Sequence, residues 1–396
     1  MNKHGIALAA DSAVSISDGQ KVYHTAEKLF KLSNAPIAIM TYGCAEIMGV
    51  PWEIAIKTYV KQFGERRFPT VEQYALDFLR FIETSEMLFP VSVQDEWFSS
   101  VVESVLKANI RDQWKKKLGG EPKSHCRKAA SLLLQTIKNE ITSLQKILPI
   151  EQLDHAFGEK VISDHAEIIQ KLQDSLFQDV ALSDEISDAL NLLVKLLHTR
   201  QWFHPDHFSG MVFAGFGEPE PFPSLYIYSV GTVVSSKLRW AKADEAHVDR
   251  KHPVIIIPFA QTDMIDLFCS GIHPTLKDRL ADILSKHLPH PKGKAPSKSR
   301  SKVVQKDVMT AIEKEFQVKY TLPLISAVEV LSCHDLAKMA EALVSLTAFK
   351  ARMSVEQQET VGGPIDVAII AKCEGFTWVK RKDMIKHGDA TAFLMP

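Results

Sequence analysis

No apolar run in this sequence approaches the roughly 20 residues that a membrane-spanning helix needs. One of the longest, Val254-Ile-Ile-Ile-Pro-Phe-Ala260, contains a proline, so no crossing of a bilayer is expected. Met1-Asn-Lys-His-Gly5 lacks the charged, apolar, small-residue succession of a secretion signal, which makes the cytoplasm the expected location. Excess charge is lacking too. The 47 Lys+Arg are offset by 48 Asp+Glu, so nothing in the balance draws the chain to nucleic acid or to an anionic membrane, and neither is expected as a partner. Cysteine is scarce: Cys44, Cys126, Cys269, Cys333 and Cys373 form no CxxC pair. That argues against a disulfide framework or a cysteine-rich zinc site, and predicts reduced, mostly packed thiols. The one metal-like spacing, His204-Pro-Asp-His207, is broken by a proline that keeps both rings off one helical face, so a solvated turn is expected. No metal and no cofactor are called for.

What is present describes a globular protein of 396 residues, 45% hydrophobic and 24% charged, long enough for one very large domain or two smaller ones. The first ninety residues read as consecutive strands and then a helical stretch. Ile6-Ala-Leu-Ala-Ala10 is a short apolar run, Asp18-Gly19 suits a hairpin turn, Glu27-Lys-Leu-Phe-Lys-Leu32 alternates, and Ile37-Ala-Ile-Met40 is apolar again. Beyond Pro51 the apolar residues recur at helical spacing. From Val93 to Thr199 leucine and valine stripes predict a block of helices, read as a bundle core. Strand character returns at 211–217, 224–230 and 254–257. Ser285 to Lys302 is basic, rich in Pro and Ser and free of aromatics, which predicts a flexible surface loop rather than a nucleic-acid arm. A helix over His334 to Leu346 and two strands, 364–370 and 375–379, follow. The order predicts an α+β layered fold: residues 1–90 as its first part, 91–205 as a helical insertion, and 206–396 as its second part with a basic loop at 285–302.

Two charged residues stand where the strand pattern calls for apolar ones. Period two puts Lys28 on the face of Phe30 and Leu32, and puts Asp11 in a row with Ala7 and Ala9. A core-facing lysine needs a counter-charge, and an Asp11–Lys28 pair beneath a small-residue cavity is the simplest arrangement. Spacing alone leaves two roles equally open, a structural ion pair and an active-site pair.

Gly5-Ile-Ala-Leu-Ala-Ala-Asp-Ser12, Glu27-Lys-Leu-Phe-Lys-Leu32 and Ile37-Ala-Ile-Met-Thr-Tyr-Gly-Cys-Ala-Glu46 resemble the N-terminal part of proteasome β-type subunits and their simpler bacterial relatives. Those proteins run G-v-v-L-A-A-D-S, then K-I-x-x-I, then an apolar strand and a small-residue turn. Gly215-Phe-Gly217 and Leu225-Tyr-Ile-Tyr228 are similar to the family's central hairpin. Ala340-Glu-Ala-Leu343 and Val361-Gly-Gly-Pro-Ile-Asp-Val367 are similar to its late helix and strand. The helical block and the basic loop have no counterpart there. The resemblance implies a four-layer αββα sandwich and N-terminal nucleophile (Ntn) hydrolysis of peptides or proteins in a homo-oligomer. A threonine attacks the carbonyl, its own α-amine is the base, and a lysine held by an aspartate lowers the hydroxyl's pKa. Asp11 and Lys28 match that aspartate and lysine. Tyr42 or Gly43 occupies the place of the oxyanion N–H, with Gly43 the chosen candidate. The late aspartate and serine are replaced in Gln357-Gln-Glu-Thr-Val361, where Glu359 and Thr360 are imperfect substitutes.

The departure lies at the start. By resemblance the nucleophile opens a short strand that pairs as a hairpin with Ile6–Ala10, and Asn2-Lys-His-Gly5 has the composition of that turn. Neither Met1 nor Asn2 is a nucleophile, so the natural protein is expected to start upstream. The function expected is a threonine-type peptidase or amide hydrolase. The alternative is a non-catalytic proteasome-like scaffold subunit.

Overall fold

The computed structural model describes residues 1–16, 21–23, 26–120, 127–273, 275–277, 279–280, 283, 298–354 and 361–382. Two antiparallel sheets organise the chain around residues that alternate between two covered faces. Strand β1 (Ile6–Asp11) buries Ile6, Leu8 and Ala10 on one side and leaves Ala7, Ala9 and Asp11 half-buried on the other. β2 (Leu29–Lys31) and β3 (Ile37–Gly43) follow, then α1 (Trp52–Phe63) and α2 (Val71–Thr84). Thr70 caps α2 by accepting the Gln73 N–H, and Val71, Tyr74, Ala75, Phe78, Leu79 and Ile82 form its buried stripe. After a helical block come β4 (Ser209–Gly215), β5 (Ser224–Val234) and β6 (Lys237–His247), and at the end β7 (Ile365–Ala371) and β8 (Gly375–Lys380).

The smaller sheet has the order β1-β7-β8, with Ile6 opposite Ile370 and Asp11 opposite Ile365; the larger is β6-β5-β4-β3-β2. The sheets pack face to face through Ile6, Leu8, Ala10 and Ile370 on one and Leu29, Met40, Val212 and Ile227 on the other. The outer face of the larger sheet, with Ile39, Phe213 and Tyr228, is covered by Trp52, Tyr59 and Phe78 of α1 and α2.

The block between holds α3 (Val91–Val105), α4 (Asp112–Leu118), α5 (Arg127–Gln145), α6 (His155–Asp164), α7 (Ala166–Leu176) and α8 (Asp184–Thr199). It buries a core of its own, including Trp114, Leu133, Leu190 and Leu193, to which the sheet contributes Val234. Arg239 on β6 ties the block to the sheet. Its buried guanidinium donates to the carbonyls of Leu197 (2.6 Å), His198 (3.2 Å), Arg200 (3.4 Å) and Trp202 (2.6 Å), which the end of α8 leaves without helical partners. Burial lowers the Arg239 pKa to about 10.

Past β6 the chain forms α9 (Asp263–Ser270), α10 (Lys298–Phe316), α11 (Leu322–Glu329) and α12 (Cys333–Met353). Ser332 caps α12 by accepting the Asp335 N–H, and Ala337 and Val344 cover the outer face of the smaller sheet over Ala7, Ala9, Ile365 and Val367.

Three expectations need correction. Val254–Ile257 is not a strand and makes only a single bridge at Val254, because no neighbouring strand pairs with it among the described residues. Lys298 to Lys302, expected as loop, opens α10, since Lys, Arg, Gln and Glu are good helix formers once the prolines end; residues 284–297 lie outside the described residues, as do Asp18-Gly19. The thiols are less packed than expected: Cys44, Cys269 and Cys333 are half-buried and Cys373 is exposed, all four free, while Cys126 lies outside the described residues. No helix among the described residues is long and apolar enough to cross a membrane.

Two outcomes follow from this packing. Replacing Arg239 by Met strands several helix-end carbonyls in an apolar site, and urea unfolding is expected to show a loss of about 3 kcal/mol. Burial, with Arg239 adding to it, pushes the stacked and fully buried His198 down to about 3. The unfolded chain therefore binds a proton near pH 6.5 that the folded chain refuses. Stability is expected to fall as pH drops from 6.5 toward 3, and His198→Gln should flatten that slope between pH 7 and 5 in urea titrations.

Candidate active site

Asp11 ends β1, and Lys28 stands one residue before β2 in the other sheet. Lys28 Nζ donates to Asp11 Oδ1 at 2.7 Å, with side chains 20% and 12% exposed. Two backbone N–H groups fix the other oxygen: Gly362 at 2.9 Å and Ala13 at 3.2 Å donate to Oδ2. The pair expected from residue types is therefore formed, but by a different route. Lys28 stands just before β2, its carbonyl still bonded to Thr41 on β3; its side chain reaches Asp11 on β1, while Phe30 and Leu32 pack toward α1 and α2.

The pair sits at one end of a cavity of about 220 Å³. One wall is the whole of β1, another is the segment Ile255 to Gln261, and α12 contributes Leu336, Met339, Leu343 and Val344. Among the described residues, Asp11 and Lys28 are the charged side chains that line it, so the cavity suits an apolar group beside one neutralised ion pair. The small side chains of Ala7 and Ala9 leave that space.

Thr41 and Tyr42 line the cavity, and Gly43 lies just past it at the end of β3, opposite Ser209. Thr41 N–H donates to Lys28 O at 2.9 Å and Cys44 N–H to Phe208 O at 2.8 Å. Alternation then turns the Gly43 N–H to the Lys28 side of β3, beyond the end of β2. Glycine is required there: φ is +81°, and a Cβ would lie 2.7 Å from the Phe208 carbonyl oxygen. Tyr42 stacks on Phe259 (centroids 5.5 Å apart) and lies against Gly210, and burial pushes its phenol pKa up.

Sequence reasoning missed Glu27. Its nearly buried carboxylate accepts from Arg381 Nη2 at 2.7 Å and pairs with Lys57 Nζ at 3.2 Å. Burial pushes this carboxyl up, but Arg381 and Lys57 outweigh it and hold it below its usual value. Lys57 and Arg381 lie on a distant helix and strand end, so no local pattern could have found them. Glu359 and Thr360 lie outside the described residues. His204 and His207 stack at 4.9 Å, and His204 accepts the Asp206 N–H through Nδ1 at 3.3 Å. Among the described residues no group of three or more His, Cys, Asp or Glu is placed to hold a metal ion.

Because Asp11 accepts three hydrogen bonds and Lys28 supplies one of them, Asp11→Ala is expected to cost about 3 kcal/mol of unfolding free energy in urea titrations and Lys28→Met clearly less. Equal losses would contradict that arrangement. No family model matches this chain, and no curated protein or solved structure matches it either.

Proposed function

We propose that this chain is the scaffold of an N-terminal nucleophile hydrolase of the proteasome-like kind, cleaving peptide or other amide bonds. The observation that carries the proposal is the Lys28–Asp11 contact of 2.7 Å in the lining of an otherwise apolar cavity. The packing of α12, the two sheets, and α1 with α2 supports a four-layer αββα sandwich around it. In this reading a hydroxyl or thiol enters the cavity beside Lys28 and gives its proton to an adjacent α-amine as it attacks the substrate carbonyl. The Lys28 ammonium, held by Asp11, favours the ionised nucleophile, and the Gly43 N–H donates to the oxyanion. The amine then protonates the leaving group, and water hydrolyses the acyl-enzyme. Peptide or protein substrates and a homo-oligomeric assembly belong to the same proposal, carried by resemblance.

A second reading, a non-catalytic scaffold subunit, is favoured by one observation: among the described residues no Ser or Cys lines the cavity, its two threonines are Thr41 and Thr347, and the Thr347 hydroxyl is bonded to Leu343 O at 3.0 Å. Fluorogenic peptide amides separate the two when assayed with protein purified from its native source. Hydrolysis that falls about 10²- to 10³-fold on Lys28→Ala is the expected result. Absence of turnover, or activity untouched by that substitution, would leave the scaffold.

A further inference from the structure

The side chain that reaches Asp11 comes from a stretch without regular structure. Ala26, Glu27 and Lys28 belong to no strand or helix, and only at Leu29 does β2 begin. A lysine on such a stretch has many conformations open to it, so its placement has to be imposed by contacts from elsewhere.

Those contacts come from one end of the smaller sheet. There Asp11 stands opposite Ile365, Asp366 opposite Ala10, and Val367 opposite Lys380, so the end of β1, the start of β7 and the end of β8 lie side by side. Arg381 and Lys382, which follow β8 directly, both turn to the residues before Lys28. Arg381 Nη2 donates to the Glu27 carboxylate at 2.7 Å, and its guanidinium lies over the Trp378 ring, 5.0 Å from the centroid. Lys382 Nζ donates to Ala26 O at 2.5 Å. Asp366 holds Lys382 in turn: its Oδ1 accepts the Lys382 N–H at 2.7 Å, and its Oδ2 lies 3.8 Å from Nζ. Ala26 N–H donates to Ser12 O at 3.3 Å, and Lys57 meets Glu27 from α1 at 3.2 Å.

Burial separates these contacts from ordinary surface pairs. The side chains of Glu27 and Asp366 are 7% and 4% exposed, and that of Lys382 is 12% exposed. A carboxylate placed so deep that loses its cation must turn toward water. Glu27 can do so only by moving the main chain it shares with Lys28, whose side chain points to the opposite partner.

We propose that Arg381 and Lys382 are positioning residues of the candidate active site: they hold Ala26 and Glu27, and through them aim Lys28 at Asp11. The aim of Lys28 stands on these contacts alone; that it serves a nucleophile rests on the hydrolase proposal.

The test reads Lys28 itself. The folded 396-residue chain is treated with trace acetic anhydride, and peptide mass spectrometry gives the acetylation rate of Lys28 relative to the other lysines of the same sample. An amine tied to a carboxylate resists acylation, so Asp11→Asn is expected to speed labelling of Lys28 about tenfold and sets the rate of a released lysine. Arg381→Gln and Lys382→Gln are each expected to speed it about threefold or more, and Arg381→Lys, which keeps a cation beside Glu27, to restore slow labelling. A merely structural clamp would lower the urea midpoint and leave the Lys28 rate of the folded chain unchanged; that result would overturn the proposal. If the two Gln variants do not fold, Glu27→Gln loosens the same tie from the other side, and an unchanged Lys28 rate there overturns it equally. Labelling needs no turnover, so faster labelling in these variants of a protein that hydrolyses no fluorogenic peptide supports the positioning role and defeats the hydrolase.

Discussion

A carboxylate taken out of water must have both oxygens satisfied, and at Asp11 that requirement draws two other parts of the chain to the end of β1, where the chain just beyond it adds a third donor. Lys28 comes from the opening of the larger sheet, Gly362 from the approach to β7, and Ala13 from the chain just beyond β1. Neither sheet can shift at this end without breaking a charge-assisted bond. The cavity shares the same arrangement, since both members of the pair line it.

Lys28 is held along its backbone as well as at its tip. Its carbonyl accepts from Thr41, and its neighbour Glu27 is gripped by cations from α1 and from the end of β8. Two adjacent residues therefore point opposite charges at opposite partners. The ammonium is directed to β1 because the carboxylate beside it is committed elsewhere. This division explains why a lysine at the margin of a short strand has a defined position rather than a solvated, wandering one.

Much of this was legible in the sequence where one physical rule dominates. The apolar run Ile6–Ala10 and the stripes of α1 and α8 marked covered faces, and a lysine on an apolar strand face announced a counter-charge. The rest was illegible for identifiable reasons. Val254–Ile257 has strand composition, but a ladder needs a neighbour that composition cannot supply. Ser285 to Lys302 was read from its prolines and charge, while α10 draws on helix formers running on to Phe316. Tyr42 and Gly43 could not be separated by alignment, and the left-handed turn that Gly43 makes against Phe208 carries no signal in the sequence beyond the glycine itself. Arg239 gave no signal at all, because its partners are carbonyl oxygens that every residue carries.

That last property has an evolutionary consequence. Arg239's share of the joint between the helical block and the sheet recognises main chain, not side chains, at Leu197, His198, Arg200 and Trp202. The block also has a core largely its own. At these four positions the side chains can change without loss of the bonds, while Arg239, together with Gln94, Gln152 and Val234, holds the block to the sheets that frame Asp11 and Lys28.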